Sequence, residues 1–260
     1  MITVDGEKFW NNETVSVPDI TGDGKADKVK FDLSNSYTLN GYYDNVPIMD
    51  IFVNGTKVGR VTRHRTVEGT IFRTHIIRLQ NGKVYFCAES YEGSDDHYEC
   101  DIYEFKNIKI IKRNNLIGLV KIGEHNLQAR PISVDGNKMR VELWNQTLVM
   151  GVESPRIYMN YEYKNGKLNC YDTIFNIDRK GKEYECNCNF KLYTNVKFSK
   201  ISYSVKKGDK LYMQRVCIRD GRIYIQFKNS KGKNGWLKSD VTLNKTSTSE
   251  PVFVGAYGCD

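Results

Sequence analysis

Apolar and polar residues alternate along most of this chain. In Lys28-Val29-Lys30-Phe31-Asp32-Leu33 every second residue is apolar and the residues between are charged, which is the period of a strand with one face buried. The same alternation runs through Arg156-Ile157-Tyr158-Met159-Asn160-Tyr161-Glu162-Tyr163 and Arg222-Ile223-Tyr224-Ile225-Gln226-Phe227, where β-branched and aromatic residues dominate and suit a pleated surface. No segment carries the 3.6-residue spacing of an amphipathic helix, so the pattern predicts an all-β chain.

Turn chemistry points the same way. Asn54-Gly55, Asn81-Gly82, Asp135-Gly136, Asn165-Gly166 and Asp220-Gly221 each separate two strand-like runs, and these residue types tolerate the positive φ angles of tight hairpins. Their recurrence predicts a meander of antiparallel pairs, arranged as propeller-like blades or as a large sandwich. Three turns are followed by a basic residue and a strand, at Asn81-Gly82-Lys83, Asn165-Gly166-Lys167 and Asp220-Gly221-Arg222, but at unequal spacings. Shared hairpin chemistry explains this better than duplication does. The polar interruption Asp178–Glu183 marks a change of pattern, which predicts a β-rich domain over 1–185 and a small barrel over 186–260. The stretch Thr242–Glu250 reads as a surface segment, after which Pro251–Val254 can dock back.

Composition narrows the picture. A chain of 260 residues with 40% apolar and 12% aromatic content has material for two packed domains and is no disordered tail. The formal charge of +8 and pI near 9.0 favour polyanionic partners. Lysine and arginine are nevertheless scattered without a block of like charge, which favours a solvated basic surface over a dedicated nucleic-acid groove. No run approaches the apolar length of a membrane span, and no signal-peptide pattern opens the chain, so an exported location requires a leader that these residues do not contain. The seven cysteines, Cys87, Cys100, Cys170, Cys186, Cys188, Cys217 and Cys259, match no paired zinc pattern. Cys87 and Cys100 fall on the two arms of one predicted hairpin, where a disulfide or two small buried hydrophobes would fit.

The sharpest motif is Asp19-Ile20-Thr21-Gly22-Asp23-Gly24-Lys25-Ala26-Asp27. Oxygen-bearing side chains stand at the first, third, fifth and ninth positions, Gly24 permits the bend at the sixth, and Lys25 offers a main-chain carbonyl, which is the donor set a hard Ca²⁺ ion requires. Three carboxylates this close would repel one another without a cation. The segment resembles the Asp-x-x-Gly-Asp-Gly-x-x-Asp loop of FG-GAP, VCBS and dockerin-type repeats. The resemblance implies carboxylate ligands at Asp19, Asp23 and Asp27, a weaker or water-mediated one at Thr21, where Asp or Asn is usual, and a carbonyl at Lys25. It implies structural calcium in a secreted or cell-surface protein.

Toward the C-terminus, Lys206-Lys207-Gly208-Asp209 precedes a strand, and Gly232-Lys233-Asn234-Gly235-Trp236 leads into another. The two motifs, in this order around the hairpin Arg215 to Phe227, resemble the bacterial SH3 family. Gly208 and Gly235 are expected in tight turns, and Trp236 supplies a large apolar body to a barrel too small to bury much else. What the family implies is binding to peptidoglycan or other cell-wall parts, with Tyr203, Tyr212, Tyr224 and Trp236 as candidate stacking surfaces.

Signatures of catalysis are missing. There is no Gly-x-Ser-x-Gly elbow, no His-Glu-x-x-His zinc helix and no phosphate loop, and His64, His75, His97 and His125 are far apart. The segment Glu89–Glu99 crowds acids, hydroxyls and His97 between Cys87 and Cys100, and a solvated hairpin tip accounts for it better than a pair of catalytic carboxylates. The sequence therefore predicts a non-enzymatic, extracellular or cell-surface binding protein whose partners are cell-wall polymer, glycan or surface protein. The alternatives are a cryptic carbohydrate-active or peptidoglycan hydrolase, and a basic nucleic-acid binder.

Overall fold

The computed structural model describes residues 1–4, 13–34, 37–39, 44–46, 48–62, 71–91, 98–115, 127–145, 156–178, 180–219, 222–238 and 252–254. Every regular element among them is a β-strand, paired antiparallel wherever the register is resolved, and no sheet closes into a ring. The chain divides into two compact units. The first comprises Met1–Gly118, Gln128–Val141 and Tyr161–Asn169, and the second Leu119–Leu127, Glu142–Asn160 and Cys170–Asp260.

In the first unit, strands Thr14–Val17, Asp27–Asp32, Ile48–Val53 and Thr56–Thr62 form one sheet in that order. Ile2–Val4, Ile71–Arg78, Val84–Tyr91, Tyr98–Lys106 and Lys109–Asn115 form another. Alternation along Asp27–Asp32 turns Val29 and Phe31 inward, where they meet Met49 and Ile51 from their own sheet and Ile76, Phe86, Ala88 and Phe105 from the five-stranded one. Two sheets sharing one apolar layer make a sandwich. Val84–Tyr91, the middle strand of its sheet, is buried on both faces over Tyr85, Phe86, Cys87 and Ala88.

The hairpins confirm most of the turn chemistry. Asn54 and Gly55, and likewise Asn165 and Gly166, take positive φ at two-residue turns. At Asp135-Gly136 the turn lies one residue later, because Asp135 ends its strand and Gly136 with Asn137 makes the bend. A further turn, Asn107-Ile108, has positive φ at both residues without the glycine that would have announced it. Asp220-Gly221 and Thr242–Glu250 lie outside the described residues.

In the second unit, Ile174–Ile177, Lys210–Arg219, Arg222–Asn229, Asn234–Lys238, Phe190–Tyr193 and Ile201–Val205 follow one another across the sheet, and Glu183–Glu185 pairs with the opening of Lys210–Arg219. The chain end returns to this core. Cys186 bridges to Phe253, and hydrogen bonds run from Asn187 N to Val252 O at 2.8 Å and from Val254 N to Glu185 O at 2.9 Å. Phe253, only 1% exposed, lies against Tyr184, Phe190 and Phe227, with ring centroids 5.7, 6.0 and 5.3 Å away. Gly208 occupies the expected turn at φ +85°. Gly235 does not: it lies within strand Asn234–Lys238 without a positive φ, and the turn is made at Gly232. What requires glycine at 235 is close approach, since a Cβ there would sit 2.6 Å from Leu192 Cβ.

Candidate functional site

Asp27 opens its strand with its side chain turned back into the loop Asp19–Asp27. Its Oδ2 accepts the amides of Ile20 at 2.6 Å and Thr21 at 2.9 Å, and its Oδ1 accepts the Thr21 hydroxyl at 3.1 Å and the Asn54 carboxamide at 2.6 Å. A carboxylate offers about four lone-pair positions, and these donors fill them. Burial pushes the Asp27 pKa up, but the amides and side-chain donors outweigh it and hold the group below the ordinary carboxylate range.

The remainder of the loop is wrapped by its other acids. Asp19 accepts from Gly22 N at 2.5 Å and Gly24 N at 3.1 Å, and Asp23 from Lys25 N at 2.8 Å. Lone pairs remain on Asp19, on Asp23, on the Thr21 hydroxyl and on the Lys25 carbonyl, a set that suits a hard cation. Among the described residues no group of three or more His, Cys, Asp or Glu side chains is gathered as a metal-holding cluster. The mutual repulsion expected of the three aspartates is thus relieved in part by main-chain amides, and Asp27 acts as the strut that joins the loop to the Asn54 turn.

In the second unit the four candidate aromatic residues divide. Alternation places Tyr193, Tyr224, Gln226 and Trp236 on the sheet face opposite Leu192, Ile225, Phe227 and Gly235, and the register sets Tyr193 and Gln226 directly beside Trp236. Tyr224 and Trp236 are 7% and 6% exposed and form a cluster with Cys217. They are shielded by the loop between Phe190–Tyr193 and Ile201–Val205, which lays Val196 and Phe198 across them. Phe198 has φ +54°, a conformation costly for a bulky side chain. The loop is held by Thr194 N to Lys200 O at 2.9 Å, Lys197 N to Asn195 Oδ1 at 3.0 Å and Asn195 Nδ2 to Ser199 Oγ at 2.9 Å. The Phe198 ring stands 4.7 Å from that of Tyr193 and 5.7 Å from that of Tyr224, and Arg215 donates to Gln226 Oε1 at 3.1 Å at the same face.

Tyr203 and Tyr212 lie apart from this cluster. Tyr212 donates its hydroxyl to Glu183 Oε2 at 2.8 Å. Tyr203 is half-buried beneath Lys233, whose Nζ is 5.9 Å from its ring centroid, and its buried hydroxyl finds no partner among the described residues. Sequence reasoning missed Tyr193 and Phe198. The signal available was an aromatic pair bracketing a short polar loop, which by itself looks like any strand end.

The first unit also holds a buried polar group that spacing did not reveal. His75 and Glu89, 3% and 0% exposed, hydrogen-bond through Nε2 and Oε1, and His75 Nδ1 lies 3.0 Å from Thr3 Oγ1. Cys87 stands directly opposite His75 in the ladder, yet both imidazole nitrogens are engaged, and burial, with Glu89 and Asp101 nearby, pushes the Cys87 thiol well up. This arrangement is not an activated nucleophile. Cys87 pairs with Ile102 and Cys100 with Glu89, so the two cysteines are diagonal neighbours about 7–8 Å apart, beyond disulfide reach. Both are free thiols. Residues 92–97, and with them His97 and the rest of the acid-rich tip, lie outside the described residues, as do His64 and His125.

Comparison with protein-family models, with curated proteins and with solved structures returns no match. No helix among the described residues is long and apolar enough to cross a membrane.

Proposed function

We propose that this chain is a non-enzymatic binding protein of the cell exterior, whose second unit holds cell-wall polymer or a related glycan on the face built from Tyr193, Phe198, Tyr224 and Trp236. The observation that carries the reading is the position of these rings. A small β-unit fills its interior with Phe227, Phe253, Tyr184 and Leu192, and yet sets a second aromatic layer on the opposite face beneath a strained loop. Strain of this kind is kept where a surrounding structure over-determines it, and it concentrates at ligand-contacting sites. The half-buried rings of Tyr193 and Phe198, backed by the buried Tyr224 and Trp236 and with the exposed Arg215 nearby, offer a sugar or peptide both stacking and hydrogen bonds.

What supports an SH3-like reading of the second unit is the pair of motifs Lys206-Lys207-Gly208-Asp209 and Gly232-Lys233-Asn234-Gly235-Trp236 in this order. Glu183–Glu185 pairs with the opening of the long, bulged strand Lys210–Arg219, which continues as a meander through Arg222–Asn229 and Asn234–Lys238, while the intervening strands Phe190–Tyr193 and Ile201–Val205 cross to the far side of Asn234–Lys238. The calcium loop belongs to the same proposal as a structural element of the first unit, where Asp19, Thr21, Asp23 and Lys25 would hold the ion and Asp27, its lone pairs already taken, would brace the loop.

The test is retention of the full chain on purified peptidoglycan. Wild type is expected in the bound fraction, with Phe198→Ala and Tyr193→Ala weakening retention at a temperature well below the melting point of either variant, where both are folded. Failure of the wild type to bind, or full retention by both variants, would overturn the assignment.

A further inference from the structure

The hairpin joining Tyr98–Lys106 to Lys109–Asn115 turns through Asn107 and Ile108, at φ 53° and 56°. At the comparable turns Asn54-Gly55 and Asn165-Gly166 a glycine follows the asparagine, as a two-residue turn of this hand demands. Isoleucine instead forces a branched Cβ toward the following carbonyl. Burial offsets this only in part, because Ile108 is 44% exposed.

A second local cost sits beside it. Lys106 and Lys109 are directly opposite one another in the ladder, and like charges so placed destabilise a hairpin. The next basic residues on this terminal strand are answered: Lys112 Nζ is 2.7 Å from Asp101 Oδ2, and Arg113 Nη2 is 2.7 Å from Glu104 Oε2. Among the described residues no acid stands within ion-pair distance of Lys106 or Lys109. The tip is thus an exposed branched apolar side chain between two exposed, uncompensated ammonium groups, with Ile111, 39% exposed, behind it.

One kind of partner takes up the exposed isoleucine and both lysines together. A soluble polyanion would answer the lysines and leave Ile108 in water, whereas an apolar protein groove would take Ile108 and bury two unpaired charges. The edge of an anionic lipid layer has phosphates at the height of the ammonium groups and an acyl phase just below them. We propose that the Lys106–Lys109 tip is a membrane-contact wedge that seats Ile108 in the headgroup boundary of an anionic bilayer. The net charge of +8 adds long-range attraction to the same surface.

The experiment is co-sedimentation of the full chain with vesicles of phosphatidylcholine alone and of phosphatidylcholine with one quarter phosphatidylglycerol. Wild type is expected to bind only the anionic vesicles, less at higher salt. Ile108→Gly should lower the partition coefficient about five- to tenfold, the loss expected for removing one partly buried apolar side chain, while raising the melting temperature by about 2–4 °C as the turn relaxes. Lys106→Gln with Lys109→Gln should remove the preference for phosphatidylglycerol. Absence of wild-type binding would overturn the proposal. So would equal vesicle binding by wild type and Ile108→Gly, or displacement by polyphosphate that is the same for both, which would assign the tip to soluble polyanions.

Discussion

Four donors converge on the Asp27 carboxylate, which is 1% exposed, so removing it strands two amides, a hydroxyl and a carboxamide at once. Asp27→Ala is expected to cost about 2–3 kcal/mol in urea unfolding at pH 7. The folded pKa lies below the unfolded value, so the contribution is complete above about pH 4, the ordinary carboxylate range, and is lost as pH falls through the folded pKa. Unfolding across an acid series should therefore be steeper for wild type than for the variant. At Gly59, a Cβ would stand 2.1 Å from Ile110 Cγ1. Gly59→Ala should cost about 1–3 kcal/mol through overpacking, and a double-mutant cycle with Ile110→Ala should recover part of it, because the smaller side chain removes the clash. The thiols provide no counterweight in favour of catalysis, since burial pushes Cys170 up to about 11 and Cys186 up to about 12, where they stay protonated at neutral pH.

Among the elements, the returning segment Val252–Val254 is the one whose contribution most exceeds its length. Its Phe253 ring fills the space among Tyr184, Phe190 and Phe227, and Phe253→Ala should cost about 3–5 kcal/mol, read as a lowered urea midpoint with an unchanged slope. Docking of this segment was legible as an apolar run after a polar stretch. The strands were legible too, because burial on one face writes a period of two into Lys28–Leu33 and Arg222–Phe227. Other elements were not. Gly235 looked like a turn residue because glycine has two uses, and only the nearness of Leu192 reveals that here the second applies. The Asn107-Ile108 turn carried no glycine and so gave no signal.

At the scale of the molecule, the proposed calcium loop belongs to the first unit and the aromatic face to the second, so the two can be tested independently. Thermal melts in millimolar calcium and in chelator are expected to differ, and Asp23→Asn to erase the difference. Retention on peptidoglycan should be unaffected by the same substitution. Identical melts for wild type would leave Asp27 and its four donors as the whole of the staple.

The sequence by itself determined the all-β class, most hairpin positions and the acid-rich loop, because strand period, turn conformation and local acid spacing are properties of neighbouring residues. Tertiary structure alone decided which acids are already satisfied, how His75 meets Glu89 and Thr3, and that Phe198 covers Tyr224 and Trp236. Asp27 reaches Asn54 across 27 positions, His75 reaches Thr3 across 72, and Phe198 meets rings of two other strands; no local pattern encodes the register that brings them together.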